Sequence, residues 1–171
     1  MTTKVPAELI STATPLGRRN ILINGDYSIY QRAQQVATLG GSENYFTADR
    51  WILNGALTSA RLTMTAGTED APAESNVTTS LKLDCTTADS SIGANEALTI
   101  QQRVEGYNLQ QVKKGTSGAK QLTASFWVKG NGSATYVLEL YDADNTRQVS
   151  KSFSVTSSWT KVELTYPADT T

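Results

Sequence analysis

Leu122-Thr123-Ala124-Ser125-Phe126-Trp127-Val128-Lys129 changes character at every residue. Leu122, Ala124, Phe126 and Val128 fall on one side; Thr123, Ser125, Trp127 and Lys129 fall on the other. A strand turns successive side chains to opposite faces, so a period of two places one face against a core. With Phe126 inside, Trp127 stands on the outer face, half exposed or covered by an added segment. Each large aromatic that is buried contributes about 2–3 kcal/mol from its apolar area.

Working outward, strand-like runs recur at 60–66, 80–85, 98–104, 135–141, 148–155 and 159–166, parted by clusters of Gly, Asn, Asp and Ser. Several are spaced by about 10 to 15 residues, which is the rhythm of an antiparallel sandwich. Upstream, Ile21-Leu22-Ile23 reads as a short strand ended by Asn24-Gly25-Asp26, because Asn and Gly tolerate positive φ. Tyr27, Ile29 and Gln31 then alternate with Ser28 and Tyr30. A polar, Gly-rich loop at 39–44 precedes a strand at 46–53, with Asn54-Gly55 as a second turn. Two intervals break the rhythm. Residues 67–79 are polar and carry Pro72, the mark of an exposed loop. Residues 106–114 predict one short helix, with Leu109 and Val112 three apart on one side. There is no internal repeat and no heptad pattern, so these residues contain no long coiled-coil shaft.

The totals agree with an all-β chain. At 171 residues the chain is long enough to bury a core without a disulfide staple. Only 39% of it is hydrophobic, and Thr, Ser and Ala are abundant. Hydroxylated and β-branched side chains sit better on strand faces than in a helical bundle. The net charge is −1 with no basic block, which argues against nucleic acid, whose phosphates require clustered Lys and Arg. No apolar run approaches the roughly 20 residues that span a bilayer, and the N-terminus does not resemble a secretory signal. Cys85, the single cysteine, lies in the alternating run Leu81-Lys82-Leu83-Asp84-Cys85 and is expected to be a small core residue.

Catalytic chemistry is poorly supplied. The chain contains no histidine, which removes Ser-His-Asp and Cys-His mechanisms and most zinc sites. A carboxylate pair could still cleave glycosidic bonds, but the spacing of Glu96, Glu105, Glu139 and Asp142 selects no pair. Asp142-Ala143-Asp144-Asn145 alternates two carboxylates with an amide, as calcium prefers. It lacks the downstream glycine and glutamate of a calcium loop and falls where a hairpin turn is expected. No metal or cofactor is expected, and the reading is of a non-enzyme. Trp51, Trp127, Tyr136, Tyr141, Gln101 and Arg103 form an alternative set: aromatic faces and polar groups that would serve either glycan binding or packing between subunits. Gln101-Gln102-Arg103 beside Glu105 is a polar row that needs partners, in its own sheet or across a subunit boundary.

Residues 1–19 differ from the rest, with Pro6, Pro15 and Gly17 among small polar residues and Val5, Leu9, Ile10 and Leu16 too scattered for a helix or strand. They read as an arm that orders by docking, followed by a sandwich over 20–171. The junction carries a resemblance. Gly17-Arg18-Arg19-Asn20-Ile21-Leu22-Ile23-Asn24-Gly25-Asp26, then Tyr30-Gln31-Arg32, then Tyr45-Phe46-Thr47-Ala48-Asp49-Arg50-Trp51, resembles a segment recurrent in tail-fibre and other virion proteins of bacteriophages, notably marine phages. The second half, through the runs at 98–105, 122–129 and 159–162, resembles the jelly roll of carbohydrate-binding modules.

Together these resemblances cover residues 17–171. They imply a jelly-roll-like antiparallel β-sandwich behind an extended N-terminal arm, carried on a virion and usually built as a homotrimer. The implied role is the particle-proximal part of a tail fibre, made in the host cytoplasm. The arm would dock on the tail or another virion protein: Val5, Leu9, Ile10 and Leu16 would fill apolar grooves, and Arg18 and Arg19 would pair with carboxylates. Such jelly rolls carry a further core strand after the run at 159–166, so either that strand comes from elsewhere or, the preferred expectation, the native chain continues past Thr171. Two rival roles are a module that binds host surface glycans through Gln101, Arg103, Trp127, Tyr136 and Tyr141, and a capsid decoration protein.

Overall fold

The computed structural model describes residues 20–57 and 59–171. The arm, with Val5, Leu9, Ile10, Leu16, Arg18 and Arg19, lies outside the described residues. Within them the chain is an all-β antiparallel sandwich of ten strands: β1 (Gln35–Leu39), β2 (Glu43–Asn44), β3 (Ile52–Ala56), β4 (Arg61–Thr68), β5 (Ser80–Thr87), β6 (Ala97–Gln101), β7 (Leu122–Val128), β8 (Ala134–Asp142), β9 (Arg147–Val155) and β10 (Thr160–Tyr166). A 3₁₀ helix, Gly106–Val112, separates β6 from β7.

The pairing is nested. β4 pairs with β5 while the flanking β3 and β6 pair with each other, in a different sheet. The plan repeats downstream: β8 pairs with β9, and β7 with β10. Adding β1 to β4 and β2 to β3 completes two three-stranded and two two-stranded sheets. In each half the inner and outer strand pairs lie in different sheets, as the layers of a sandwich require.

Side-chain alternation explains why these sheets face one another. Leu62, Met64 and Ala66 are buried at every second position of β4, while Thr63 and Thr65 between them are half-buried. Met64 packs with Leu39 of β1 and with Leu53 of β3 in the opposing sheet, and Val36, Phe46, Leu81 and Leu83 close around them. Complete burial of Met64 and Leu53 stabilises the fold by about 1.5–3 kcal/mol each. Downstream, Phe126 of β7 meets Phe153 of β9 edge-on, centroids 5.1 Å apart. Trp127 lies on the other face of β7, across from Lys161, as the alternation predicts. Asp70, in the loop after β4, ties the two strand groups: it accepts from Lys129 Nζ (2.5 Å) and Trp159 Nε1 (3.1 Å).

Five sequence expectations are corrected. Ile21-Leu22-Ile23 and the alternation at 27–31 form no strand. Residues 45–51 form no strand, with bends and a turn at 47–50, so the strand expected at 46–53 begins only at Ile52, and Asn54-Gly55 is the middle of β3 rather than a turn. Glycine is used at 55 for closeness: its N–H donates to the Ser42 carbonyl (3.2 Å), and a Cβ would lie 3.2 Å from the Gly40 carbonyl oxygen. Cys85 is exposed, not in the core, because β5 is a sheet edge whose last residues extend beyond the packed layer.

Thr47 is fully buried, and among the described residues its hydroxyl has no hydrogen-bond partner. Removing such a group relieves a desolvation penalty. Thr47→Val is therefore expected to leave stability unchanged or raise it by up to about 1 kcal/mol in urea unfolding. A loss larger than that would show the hydroxyl to be bonded.

Candidate functional site

The three sequence pieces at 20–26, 31–32 and 47–51 converge in one polar knot. Asn24 adopts φ 55°, a left-handed conformation that asparagine tolerates. From there its carboxamide donates to the carbonyls of Ile29 (2.9 Å) and Asp49 (3.0 Å) and accepts from the Ile29 N–H (3.1 Å). Its own carbonyl accepts the Trp51 indole N–H at 2.9 Å. Tyr27 covers the Trp51 ring, centroids 5.1 Å apart. Asp49 accepts the Gln31 N–H at 3.1 Å and pairs with Arg32 at 3.7 Å. The segment has no neighbouring strand, so side chains satisfy backbone groups that a sheet ladder would otherwise have satisfied.

The knot is fastened to the strand ends beside it. The Gln102 carboxamide accepts from the Ile23 N–H and donates to the Ile23 carbonyl, both at 2.8 Å, as a neighbouring strand would. Arg50 donates to Glu105 (2.7 Å), and this hydrogen bond holds the Glu105 carboxyl below its ordinary range and the Arg50 guanidinium above its own. Glu105 in turn accepts from Asn108 at 3.1 Å.

Burial raises the Tyr27 hydroxyl from 10.0 to about 12. The folded protein then holds the phenol proton more tightly than the unfolded chain does. That contribution to stability is complete below pH 10 and is lost as the pH climbs towards 12. Over that interval the native protein is expected to lose about 2 kcal/mol more than Tyr27→Phe, which cannot titrate. Urea unfolding at stepped alkaline pH checks this. Parallel curves for the two proteins would refute it.

Between the knot and the 3₁₀ helix lies a half-open cleft of about 330 Å³. Asn20, Ile21 and Ile23 form one wall; Tyr107, Asn108, Gln110 and Gln111 form the other. A 3₁₀ helix repeats every three residues, which divides its side chains into three rows. Leu109 and Val112 form the inward row, with Val112 buried. Tyr107 with Gln110, and Asn108 with Gln111, form the two rows that line the cleft. Tyr107 is 81% exposed. Among the described residues, its hydroxyl and the carboxamides of Gln110 and Gln111 make no hydrogen bond.

The residues singled out from sequence do not gather in one place. Gln101 ends β6 opposite Ile52, and Arg103, two residues on, pairs with Glu43 while its carbonyl meets Arg50. Trp127 stands on the hydroxyl-rich face of β7, beside the Thr123–Thr165 and Ser125–Glu163 hydrogen bonds. Tyr136 stacks on Phe153, centroids 6.1 Å apart, on the inner face of β8. Tyr141, five residues along the same strand, falls on the outer face.

Asp142 works as a turn residue. Its carboxylate accepts from the backbone of Asp144 (3.1 Å), the Asn145 carboxamide (2.7 Å) and Lys114 Nζ (2.5 Å). The bond from Lys114, then that from Asn145, keeps it far below the ordinary carboxylate range. Among the described residues, no three His, Cys, Asp or Glu side chains are placed to share a metal ion.

Sequence reading passed over Tyr107, Gln110 and Gln111 because it followed only the apolar pair Leu109 and Val112 in that helix. The available signal was the density of carboxamides at Asn108, Gln110 and Gln111, which a merely solvated helix does not need. Compared with protein-family models, curated proteins and solved structures, the chain matches none of them.

Proposed function

We propose that this chain is a structural protein of a bacteriophage virion, the particle-proximal part of a tail fibre, with residues 1–19 as the segment that docks on the particle. The observation that supports this reading is the knot at residues 20–51. It unites all three pieces of the virion-protein resemblance, and it lies where the arm leaves the sandwich. A docking arm transmits load to its domain, and a root held by side-chain clamps on both sides of Asn24 resists being peeled away. The clamps from Gln102 and Arg50 extend that root into the ends of the strands. The knot's polar groups are spent on backbone partners and on each other, an arrangement that supports a mechanical role over a chemical one.

The test is deletion of residues 1–19, with the variant expressed beside particles lacking the native protein. Incorporation is expected to fall at least tenfold while the unfolding transition stays in place. Normal incorporation of the truncated chain would exclude the docking role.

A further inference from the structure

We propose that Asn131 is a site of self-modification: in the folded chain the backbone nitrogen of Gly132 displaces its amide group, and water completes the conversion to aspartate or isoaspartate. This goes beyond the docking role and does not rest on it.

The sequence holds three Asn-Gly pairs, at 24–25, 54–55 and 131–132. Glycine has no Cβ to obstruct the approach of its nitrogen to the carboxamide carbon of the residue before it. By sequence the three pairs are equal; the fold separates them. At Asn24 the electrophile is tied down. Its carboxamide donates to the carbonyls of Ile29 and Asp49 and accepts from the Ile29 N–H, which holds it away from Gly25. At Asn54 the nucleophile is tied down. The Gly55 N–H donates to the Ser42 carbonyl, and both residues are held in β3 opposite Thr99 and Leu98 of β6. Asn131 carries neither restraint. Among the described residues, its carboxamide and the Gly132 N–H make no hydrogen bond, and both residues are exposed.

The fold fixes the two ends of this turn and leaves its middle loose. The Gly130 N–H donates to the Thr156 carbonyl at 2.8 Å, and Ala134 opens β8 opposite Val155. Residues 131–133 lie between those anchors, outside any strand. They can reach the attack geometry, which requires the reacting atoms to come within about 3–3.5 Å. A planar amide nitrogen is a poor nucleophile until it loses its proton to solvent hydroxide, and exposure permits that loss. The bond from the Gly132 nitrogen to Asn131 Cγ forms as the Cγ–Nδ2 bond breaks, and Nδ2 takes a proton from water and leaves as ammonia. Water then opens the five-membered imide. Attack at Cγ gives aspartate; attack at the main-chain carbonyl gives isoaspartate, with the chain running through Cγ. The sum is amide plus water to carboxylic acid plus ammonia, with nothing oxidised or reduced. The product adds a negative charge to a chain of net charge −1.

The experiment incubates the full chain in warm, mildly alkaline buffer and follows each Asn-Gly pair by peptide mass spectrometry, with isoaspartyl methyltransferase labelling to mark isoaspartate. In the folded chain Asn131 is expected to convert at least tenfold faster than Asn24 or Asn54. In guanidinium, with the fold removed, the three should convert at similar rates. Gly132→Ala should slow the reaction at least fivefold. A Cβ at that position meets no atom within 4 Å and Gly132 lies outside the left-handed region, so the variant should fold as the native chain does. Conversion of Asn24 or Asn54 as fast as Asn131 in the folded chain would overturn the proposal. So would an Asn131 that stays intact while the unfolded chain converts, or a Gly132→Ala variant that reacts at the native rate.

Discussion

Trp51→Ala is expected to cost about 3 kcal/mol in urea unfolding, near the lower end for loss of a large aromatic because the ring is only partly buried. Two connections go at once: the hydrogen bond to the Asn24 carbonyl and the packing with Tyr27. The Asn24 carbonyl would keep a bond from the Tyr27 N–H at 3.2 Å, so it is not wholly orphaned. Trp51→Phe separates the contributions, keeping a ring against Tyr27 while deleting the donor, and should cost about 1 kcal/mol. Because Tyr27 and Trp51 touch, Tyr27→Ala and Trp51→Ala should combine to less than their sum, by about 0.5–1.5 kcal/mol. Amide exchange should quicken first over residues 24–31, whose backbone bonds depend on the knot. A cost below about 1 kcal/mol for Trp51→Ala would mean that the knot does not hold this end of the sandwich.

The contrast between the legible and illegible parts of the sequence has a single physical origin. β7, β8, β9 and β10 could be read because each pairs along its length, and a regular ladder forces a period of two on its side chains. Residues 20–51 could not be read in that way. Ile21-Leu22-Ile23 has the composition of a strand, yet its partner is the Gln102 side chain rather than a ladder. Asn24-Gly25 was legible as a turn, whereas the same dipeptide at Asn54-Gly55 lies within β3, paired with Thr99 and Leu98. Nothing local distinguishes the two; the difference is a backbone approaching from Gly40, outside the local sequence window. β1 was missed for a related reason: it carries a register shift between Val36 and Leu39, with Thr38 at φ 60°, which destroys the alternation.

The candidate site shows the same divide. Aromatic residues draw the eye in a sequence, but Trp127, Tyr136 and Tyr141 are distributed over separate faces by strand alternation. The cleft is made by carboxamides whose convergence requires two segments some eighty residues apart to be clamped together. Gln102 performs that clamping, and its neighbours Gln101 and Arg103 were the ones expected to act. The polar row was correctly recognised as needing partners; the partners proved to be the Ile23 backbone and Glu43.

Tyr166→Ala is expected to have the largest effect in the second half of the chain, about 3–5 kcal/mol. Tyr166 ends β10 and is 1% exposed. Its hydroxyl donates to the Leu138 carbonyl of β8 at 2.8 Å, and Lys151 of β9 lies 5.8 Å from the ring centroid. One side chain thus joins the β7–β10 sheet to the β8–β9 sheet. Each of those sheets has only two strands, and a two-stranded ribbon is marginal in water unless it packs on another layer. Removing the ring therefore weakens both sheets together and leaves a cavity between them. Tyr166→Phe, which keeps the packing, should cost about 1 kcal/mol and serves as the control. In Tyr166→Ala, amide protection should fall across β7 to β10 while β3 to β6, packed around Met64 and Leu53, remains protected. The two strand groups are bridged by Asp70, whose exposed bonds to Lys129 and Trp159 are too weak to carry unfolding from one group into the other. Uniform loss of protection over all the strands would show the opposite, a single cooperative unit, and a cost under about 1 kcal/mol would remove Tyr166 as the link between the sheets.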